Sequence, residues 1–349
     1  MSGGIAQLVA IGAQDAHIVG RPEVSFFRST YKRHTNFAQT VEKQVIQGNP
    51  VANGMSTVRF ERKGDLLGYV YITNRNTPTD RTPTGWETEI AKVELLVGGQ
   101  VIDTHDSVFS QRLAPLLLGQ TYSKSHKALN NGTDTTKIYP LRFSFCENAQ
   151  SALPLVALQY HDVELRITWG TSLASDAYEV HAQFIYLDTD ERTTLASTPQ
   201  NMLITQTQKA IKSESAVQEL SFNHPIKFLC SYRTDAADFV GTAEAKTKLQ
   251  INGTDVGDSK LANPHYTSGS LYYHTPFADF SGADVQQKHF LYPFCLDTAK
   301  LQPTGELNFS RVDSARLVTD KGTFKSDIYA VGYNILRIEQ GMGGLMYSN

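Results

Sequence analysis

The stretch Phe143–Pro154, FSFCENAQSALP, and the stretch Tyr292–Pro303, YPFCLDTAKLQP, are written to one pattern. Each opens on an aromatic, has Phe-Cys at its third and fourth positions, Asn or Asp at the sixth and Pro at the twelfth. They start 149 positions apart (292 minus 143). A second pair runs in the same order: AKVELLVGGQVID (91–103) and AKTKLQINGTDVG (245–257), 154 apart (245 minus 91). Val93, Leu95 and Val97 of one fall where Thr247, Leu249 and Ile251 stand in the other. Gly98-Gly99 and Asn252-Gly253 then supply turns suited to a tight hairpin with positive φ. Two repeats at nearly equal offsets favour a duplicated domain. Each copy then spans about 135–170 residues, which eight strands and their connections fill.

Strand patterning agrees. VELRITW puts Val163, Leu165, Ile167 and Trp169 on one face, and EVHAQFIYLD puts Val180, Ala182, Phe184 and Tyr186 on one face. TVRFERKGD, GYVYITN, KIYPLRFSF, RLVTDKGTF and YAVGYNILRI read alike, separated by turn clusters such as NRNTPTDRTPTG (74–85) and NNGTDTT (130–136). The best helical candidate is 106–120, with Asp106 or Ser107 to cap it and Gly119 to end it. Many short strands without a βαβ rhythm predict an all-β class: two tandem eight-stranded jelly rolls with few short helices. The expected division is an arm over 1–24, a first jelly roll over 25–196, a polar linker over 197–214 and a second jelly roll over 215–349.

Composition excludes several functions. A net charge of −3 argues against a surface that wraps nucleic acid, and no sequence-specific nucleic-acid binding is expected. Cys146, Cys230 and Cys295 form no C-x-x-C pair, so buried free thiols and an intracellular folding environment are expected. No P-loop, H-E-x-x-H or G-x-S-x-G motif occurs, and no enzyme activity or cofactor is expected. His105-Asp106 and His161-Asp162 are the nearest approach to an acid–base pair, and read better as surface or strand-end polar residues. DTDER (188–192) begins like a calcium loop but has Arg192 where a further oxygen ligand is needed, so it reads as a strand end with Arg192 available to pair with acids. Of the Asn-x-Ser/Thr sites, Asn131 is the accessible candidate for glycosylation.

Specific motifs carry more than periodicity. GGIAQLVAIGAQDAHIVGRPEVSFFRSTYKRHTNFA (3–38), LPLVALQYHDVELRI (153–167), YLDTDER (186–192), LSFNHPIKFL (220–229), QPTGELNFSRVDSARL (302–317) and YAVGYNILRIEQGMGGLMYSN (329–349) resemble, in order, segments of the major capsid proteins of large eukaryotic double-stranded DNA viruses of the phycodnavirus and iridovirus kind. The resemblance implies a double jelly-roll coat protein of the virion. Three copies would form a homotrimeric capsomer of pseudo-sixfold outline, and capsomers would tile an icosahedral shell assembled in the cytoplasm of the host cell. Neighbouring capsomers, minor or inner capsid proteins and a host surface receptor are the implied partners. Short loops after Asn74, around Asn131 and after Gly257 depart from the long outward insertions of such proteins. Ile5, Leu8 and Val9 of the arm are candidate assembly anchors, and Phe26, Phe27, Arg28, Tyr31 and Arg33 candidate intersubunit contacts. A jelly-roll module for carbohydrate binding or receptor recognition is the competing reading, and needs an exposed aromatic groove.

Overall fold

The computed structural model describes residues 3–74, 83–124, 138–173, 178–233, 244–276 and 288–347. Met1–Asn36 and Phe37–Asn349 are separate compact units. The first holds the helix Gly3–Val9, a 3-10 turn Ala13–Asp15 and a helical turn Ala16–Val19, with no strand among its described residues. The first strand begins at Phe37, so 25–36, expected to open the first jelly roll, carries no paired strand. FFRSTYKRHT has the aromatics of a strand but no alternation that hides one face, and every residue of it is exposed.

In the second unit the chain first lays down β1 (Phe37–Gln44), β2 (Ile46–Gln47), β3 (Met55–Arg59), β4 (Leu66–Asn74) and β5 (Ile90–Val97). Then come β6 (Gln100–Asp106), β7 (Ile138–Pro140), β8 (Leu153–Pro154), β9 (Val163–Trp169) and β10 (Tyr178–Leu187). They make two facing sheets, ordered β1-β10-β4-β7 and β2-β3-β9-β5-β6. The chain continues with β11 (Gln200–Ala210), β12 (Val217–Glu219), β13 (Pro225–Tyr232), β14 (Lys246–Ile251), β15 (Thr254–Asp255) and β16 (Lys260–Leu261). It ends with β17 (His289–Pro293), β18 (Leu307–Asn308), β19 (Ala315–Thr319), β20 (Ile328–Glu339) and β21 (Met342–Leu345). Their sheets run β11-β20-β13-β17 and β12-β19-β14-β15. One strand order is therefore written twice, and it is that of a jelly roll.

The duplication extends to register. Leu67 pairs with Phe184, and the ladder then slips by a bulge before Val70 pairs with Ala182. In the second sandwich Ile226 pairs with Gly332, the ladder slips at the same place, and Leu229 pairs with Ala330. Both repeated hairpins turn with positive φ at two central residues, Gly98 (58°) and Gly99 (82°) in one, Asn252 (49°) and Gly253 (78°) in the other. That left-handed pair matches the twist of the strands it joins. After each hairpin the chain forms a π turn and then an α turn: Phe109–Leu113 with Ala114–Leu117, and His265–Gly269 with Ser270–His274. Asp106 starts the first of these by accepting from the Phe109 amide at 2.8 Å.

Alternation builds the cores. In β9 every second residue from Val163 to Trp169 is buried, and these join Val58, Ile72, Val180 and Phe184 in the first core. The second core gathers Ile226, Leu229, Leu249, Leu317, Phe324 and Ala330. A third cluster lies between the sandwiches, where Phe109, Leu113, Leu116 and Leu117 cover Phe228, Cys230, Leu291, Tyr329 and Val331. Strand β20 serves all three: Ile328 and Ala330 face the second core, Tyr329 and Val331 the seam, and Leu336 and Ile338 the first core. The hairpin to β21 closes on the first sandwich so tightly that a Cβ on Gly343 would come within 2.7 Å of the Leu158 side chain.

Two expectations fail for physical reasons. The stretch expected as a linker (197–214) is strand over Gln200–Ala210, paired residue for residue with β20. Its polar sequence suits the seam, where side chains make hydrogen bonds, and only Ile204 is buried. KIYPLRFSF is strand only over Ile138–Pro140 and then turns into a helical turn, Ser144–Glu147. Cys146, Cys230 and Cys295 are free and buried. Burial raises the thiol pKa of all three.

Lys227, 2% exposed, occupies in the second ladder the place of Gly68 in the first. Its ammonium lies 5.5 Å from the centre of the Tyr333 ring and 3.4 Å from the Lys300 carbonyl. Burial pushes its pKa down to about 8, against weaker opposition from Cys295 and Asp297. The unfolded chain therefore holds the proton more tightly, and stability rises with pH between about 8 and the ordinary lysine value of about 10.4. Lys227→Met should stabilise the fold at pH 7 by about 1–3 kcal/mol, a gain that shrinks as pH approaches 10, read by denaturant titration at both pH values. Leu117→Ala should cost about 2–5 kcal/mol. Because the seam joins both cores, calorimetry should show one transition moved as a whole; two transitions with one left in place would count against a shared core.

Candidate assembly surface

The arm candidates are exposed. Ile5, Leu8 and Val9 lie on the helix Gly3–Val9, with Leu8 75% accessible. Phe26 and Phe27 are 92% and 99% accessible, Tyr31 is equally bare, and Arg28 and Arg33 are exposed beside them. Three apolar anchors on a seven-residue helix, and three aromatics among cations, are surface that water covers poorly. Asn131 lies outside the described residues.

The acid–base candidates resolve into structural contacts. His105 pairs with Asp103, not Asp106, at 2.8 Å, both buried, with the imidazole 4.7 Å from the Phe143 ring centre. Asp162 takes Arg59 at 2.6 Å and Arg62 at 3.2 Å, while His161 Nδ1 meets the Gly343 carbonyl at 2.8 Å. Asp188 caps the helix Thr189–Ser197, and Arg192 reaches Asp65 at 2.9 Å. Among the described residues no three His, Cys, Asp or Glu side chains gather as metal ligands.

The seam between the sandwiches shows how this fold mates with a copy of itself. Edge strands β6 and β11 run side by side, joined through side chains. The Gln206 amide donates to the Ile102 carbonyl, the Thr207 N–H to Asp103 at 2.9 Å, and the Lys209 ammonium to Asp106 at 2.9 Å. Asp106 also accepts from Tyr329 at 2.6 Å, and Lys209 reaches Asp327 at 2.7 Å. Burial alone would lower the Lys209 pKa; the bonds to Asp327 and Asp106 outweigh it and hold the ammonium above its usual value. Burial, and then Asp106, pushes the Tyr329 hydroxyl up, so it remains a donor. Over this line lies the helical segment 107–117. Arg112 stacks 5.2 Å from the Tyr232 ring centre, and the Leu117 carbonyl accepts from Thr298 at 2.8 Å.

The corresponding face of the first sandwich has, among the described residues, Ser123 and Lys124 beside it in place of a helical segment. The ladder matches Tyr69, Tyr71 and Pro140 to Phe228, Cys230 and Leu291. The twelve-residue repeat matches Cys146 to Cys295. Phe228 and Cys230 are fully buried, whereas Tyr69 is 42% accessible. Tyr69, Tyr71, Pro140, Cys146, Arg142 and Glu147 line a cavity of about 270 Å³ there. Arg142 Nη1 meets Glu147 Oε1 at 3.3 Å and Arg142 Nη2 donates to the Lys124 carbonyl at 3.2 Å, while Arg142 Nε and Glu147 Oε2 are buried without a hydrogen-bond partner. Beside it, Lys43 holds Glu179 at 2.6 Å as Lys209 holds Asp327 in the seam. The second helical segment, 265–274, presents Tyr272 and Tyr273, 67% and 79% accessible, where the first buries Leu116 and Leu117. None of this was among the sequence candidates. The signals were the tyrosines of GYVYITN and SLYYH, whose meaning depends on which faces are left uncovered.

Comparison with known proteins fits this geometry. The family described as "Major capsid protein N-terminus" matches residues 25–204, and "Large eukaryotic DNA virus major capsid protein" matches 191–344. The major capsid protein of Pyramimonas orientalis virus is 33% identical, and that of Paramecium bursaria Chlorella virus 1 is 30% identical, each over the whole of both chains. A quasi-atomic model of the PBCV-1 virus capsid superposes with a TM-score of 0.75 at 26% identity, covering 93% of this chain and all of that one. The Faustovirus major capsid protein shares the fold at 10% identity, with a TM-score of 0.65 over 94% of each chain.

Proposed function

The chain belongs to the major capsid proteins of large eukaryotic DNA viruses, and on that premise we propose that three copies form a capsomer of pseudo-sixfold outline that tiles an icosahedral shell. It is a structural protein of the virion. The observation that carries the capsomer reading is the strand order repeated in both sandwiches. Two like bodies per chain give a closed ring of three chains six like bodies, the shape needed at a sixfold lattice position. We divide the chain into an arm, a first jelly roll ending by residue 196 and a second beginning at β11.

In this reading the protein has no catalytic role. Its partners are its own copies, neighbouring capsomers, minor capsid proteins beneath the shell and a host surface receptor, and assembly takes place in the cytoplasm. The exposed anchors Ile5, Leu8 and Val9, and the set Phe26, Phe27, Arg28, Tyr31 and Arg33, support a contact role for 1–36. Ordering such a segment costs about 1–2 kcal/mol of backbone entropy per residue, which contacts to a neighbour must offset.

Light scattering of the purified protein should give about three times 38.7 kDa at micromolar concentration, and a persistent monomer would remove the capsomer reading. Deleting residues 1–24 should leave the melting temperature of the trimer unchanged while shells or inner-protein attachment fail. A large drop in melting temperature would instead make the arm part of its own domain.

A further inference from the structure

The two sandwiches end their shared pattern differently, and the difference leaves a cavity. In the first, β8 pairs with β4 and leads into the 3-10 turn Leu155–Ala157; in the second, β18 pairs with β13 and leads into the 3-10 turn Phe309–Arg311. The ladders match Asp65 to His224, Leu66 to Pro225, Ile185 to Tyr333 and Leu187 to Ile335. After Leu187 the chain leaves the sheet for the helix Thr189–Ser197, which packs on the turn Leu155–Ala157 and sends Arg192 to Asp65 at 2.9 Å. After Ile335 the chain runs straight on as β20 into the first core. The second sandwich therefore has, at the place of that helix, a cavity of about 520 Å³. Leu203, Pro225, Tyr333 and Ile335 line it with His224 and Glu306, and Ser310 brings in the matching turn. We infer that this cavity receives a short helix of another protein, apolar along one side and carrying an arginine or lysine that meets Glu306. The site lies within a single chain, so the inference goes beyond self-association.

The first sandwich shows what such a place takes. Its covering helix has nine residues, pairs Arg192 with a carboxylate, and half-buries Leu195 three residues on, on the same side. The second cavity offers the same two kinds of contact. Leu203 is 38% accessible on its wall, apolar surface that a guest's leucines can cover. Glu306 is exposed at it, and among the described residues no cation pairs with that carboxylate. His224 stands where the first sandwich has Asp65; burial lowers its pKa, so at pH 7 it is neutral and does not repel an incoming cation. Lys227, the nearest buried cation, lies against the Tyr333 ring at 5.5 Å from its centre and does not line the cavity. Tyr333 itself is 6% exposed, and its hydroxyl is buried without a hydrogen-bond partner, a donor in want of an acceptor. The volume lies in the ordinary range of binding pockets, about 300–1,000 Å³.

Two labelled, alanine-based helical peptides test the site by fluorescence anisotropy against the purified full-length chain. Both carry leucines along one side. One has an arginine placed before a leucine as Arg192 stands before Leu195, and the other has a glutamate there. The arginine peptide should bind saturably, and the glutamate peptide about tenfold more weakly or worse, because a like charge then faces Glu306. Glu306→Lys should reverse that order. Leu203→Ser should weaken both peptides by about tenfold, the loss of one buried leucine contact. Glu306 and Leu203 are both accessible, so mass and melting temperature should stay those of the parent chain. Glu306→Gln, which changes no shape, should lose the preference for arginine without gaining one for glutamate. A preference that Glu306→Lys leaves unreversed overturns the site. Binding that Leu203→Ser does not weaken is attraction of charge alone, and overturns it too. Saturable binding of neither peptide overturns the inference and leaves the capsomer reading standing.

Discussion

Strand β20 is the element on which the rest depends. It lies between β11 and β13 in the sheet, and its successive side chains belong to three different clusters. A strand buried on both faces reads as a continuous apolar run, and IYAVGY (328–333) is one. The second sandwich's inner sheet is therefore not an outer surface at all; the first sandwich completes it. Each fully buried Val, Leu or Phe in such a layer contributes roughly 1.5–3 kcal/mol, so the seam is part of the folded core in energy as well as position.

Much of this was legible. Strand patterning located β4, β9, β10, β19 and β20, and the two repeats located the hairpins that carry Gly98-Gly99 and Asn252-Gly253. Those signals are local: a pleat exposes one side chain in two, and a hairpin turn needs residues that accept positive φ. What failed was set by distant partners. The polar strand β11 looked like a linker because it bonds across the seam, with the Gln206 and Lys209 side chains reaching Ile102 and Asp106 and the Thr207 N–H reaching Asp103. The aromatics at 26–31 looked like strand because propensity says nothing about whether a partner strand exists. His105 stood next to Asp106 in sequence, yet a strand turns adjacent residues to opposite faces, and Asp103 is the neighbour on its own face.

The uncovered face was the least legible feature. Tyr69 and Tyr71 satisfy the alternation of β4 whether the side they occupy is wet or dry. The matched positions in the second sandwich, Phe228 and Cys230, are buried beneath a helix, whereas Tyr69 is 42% accessible. Duplication is informative here because one copy displays the answer that the other leaves open. The charged pair Lys43–Glu179 stands at the place of Lys209–Asp327, with His181 beside it at 3.4 Å where the seam has Asp106.

Vectorial synthesis gives the position of β20 a further meaning. A ribosome releases β1 through β19 before the residues that pair with β11 and β13 on their shared side. Until Leu336 and Ile338 emerge, the first sandwich has a gap in its core, and the face made of Phe228 and Cys230 has no central neighbour. Neither half of a nascent chain can finish ahead of the other. On a polysome crowded with identical unfinished chains, tandem copies of one fold risk pairing with the wrong neighbour. Placing the shared strand after the other strands of both sandwiches keeps mating surfaces immature until it has emerged.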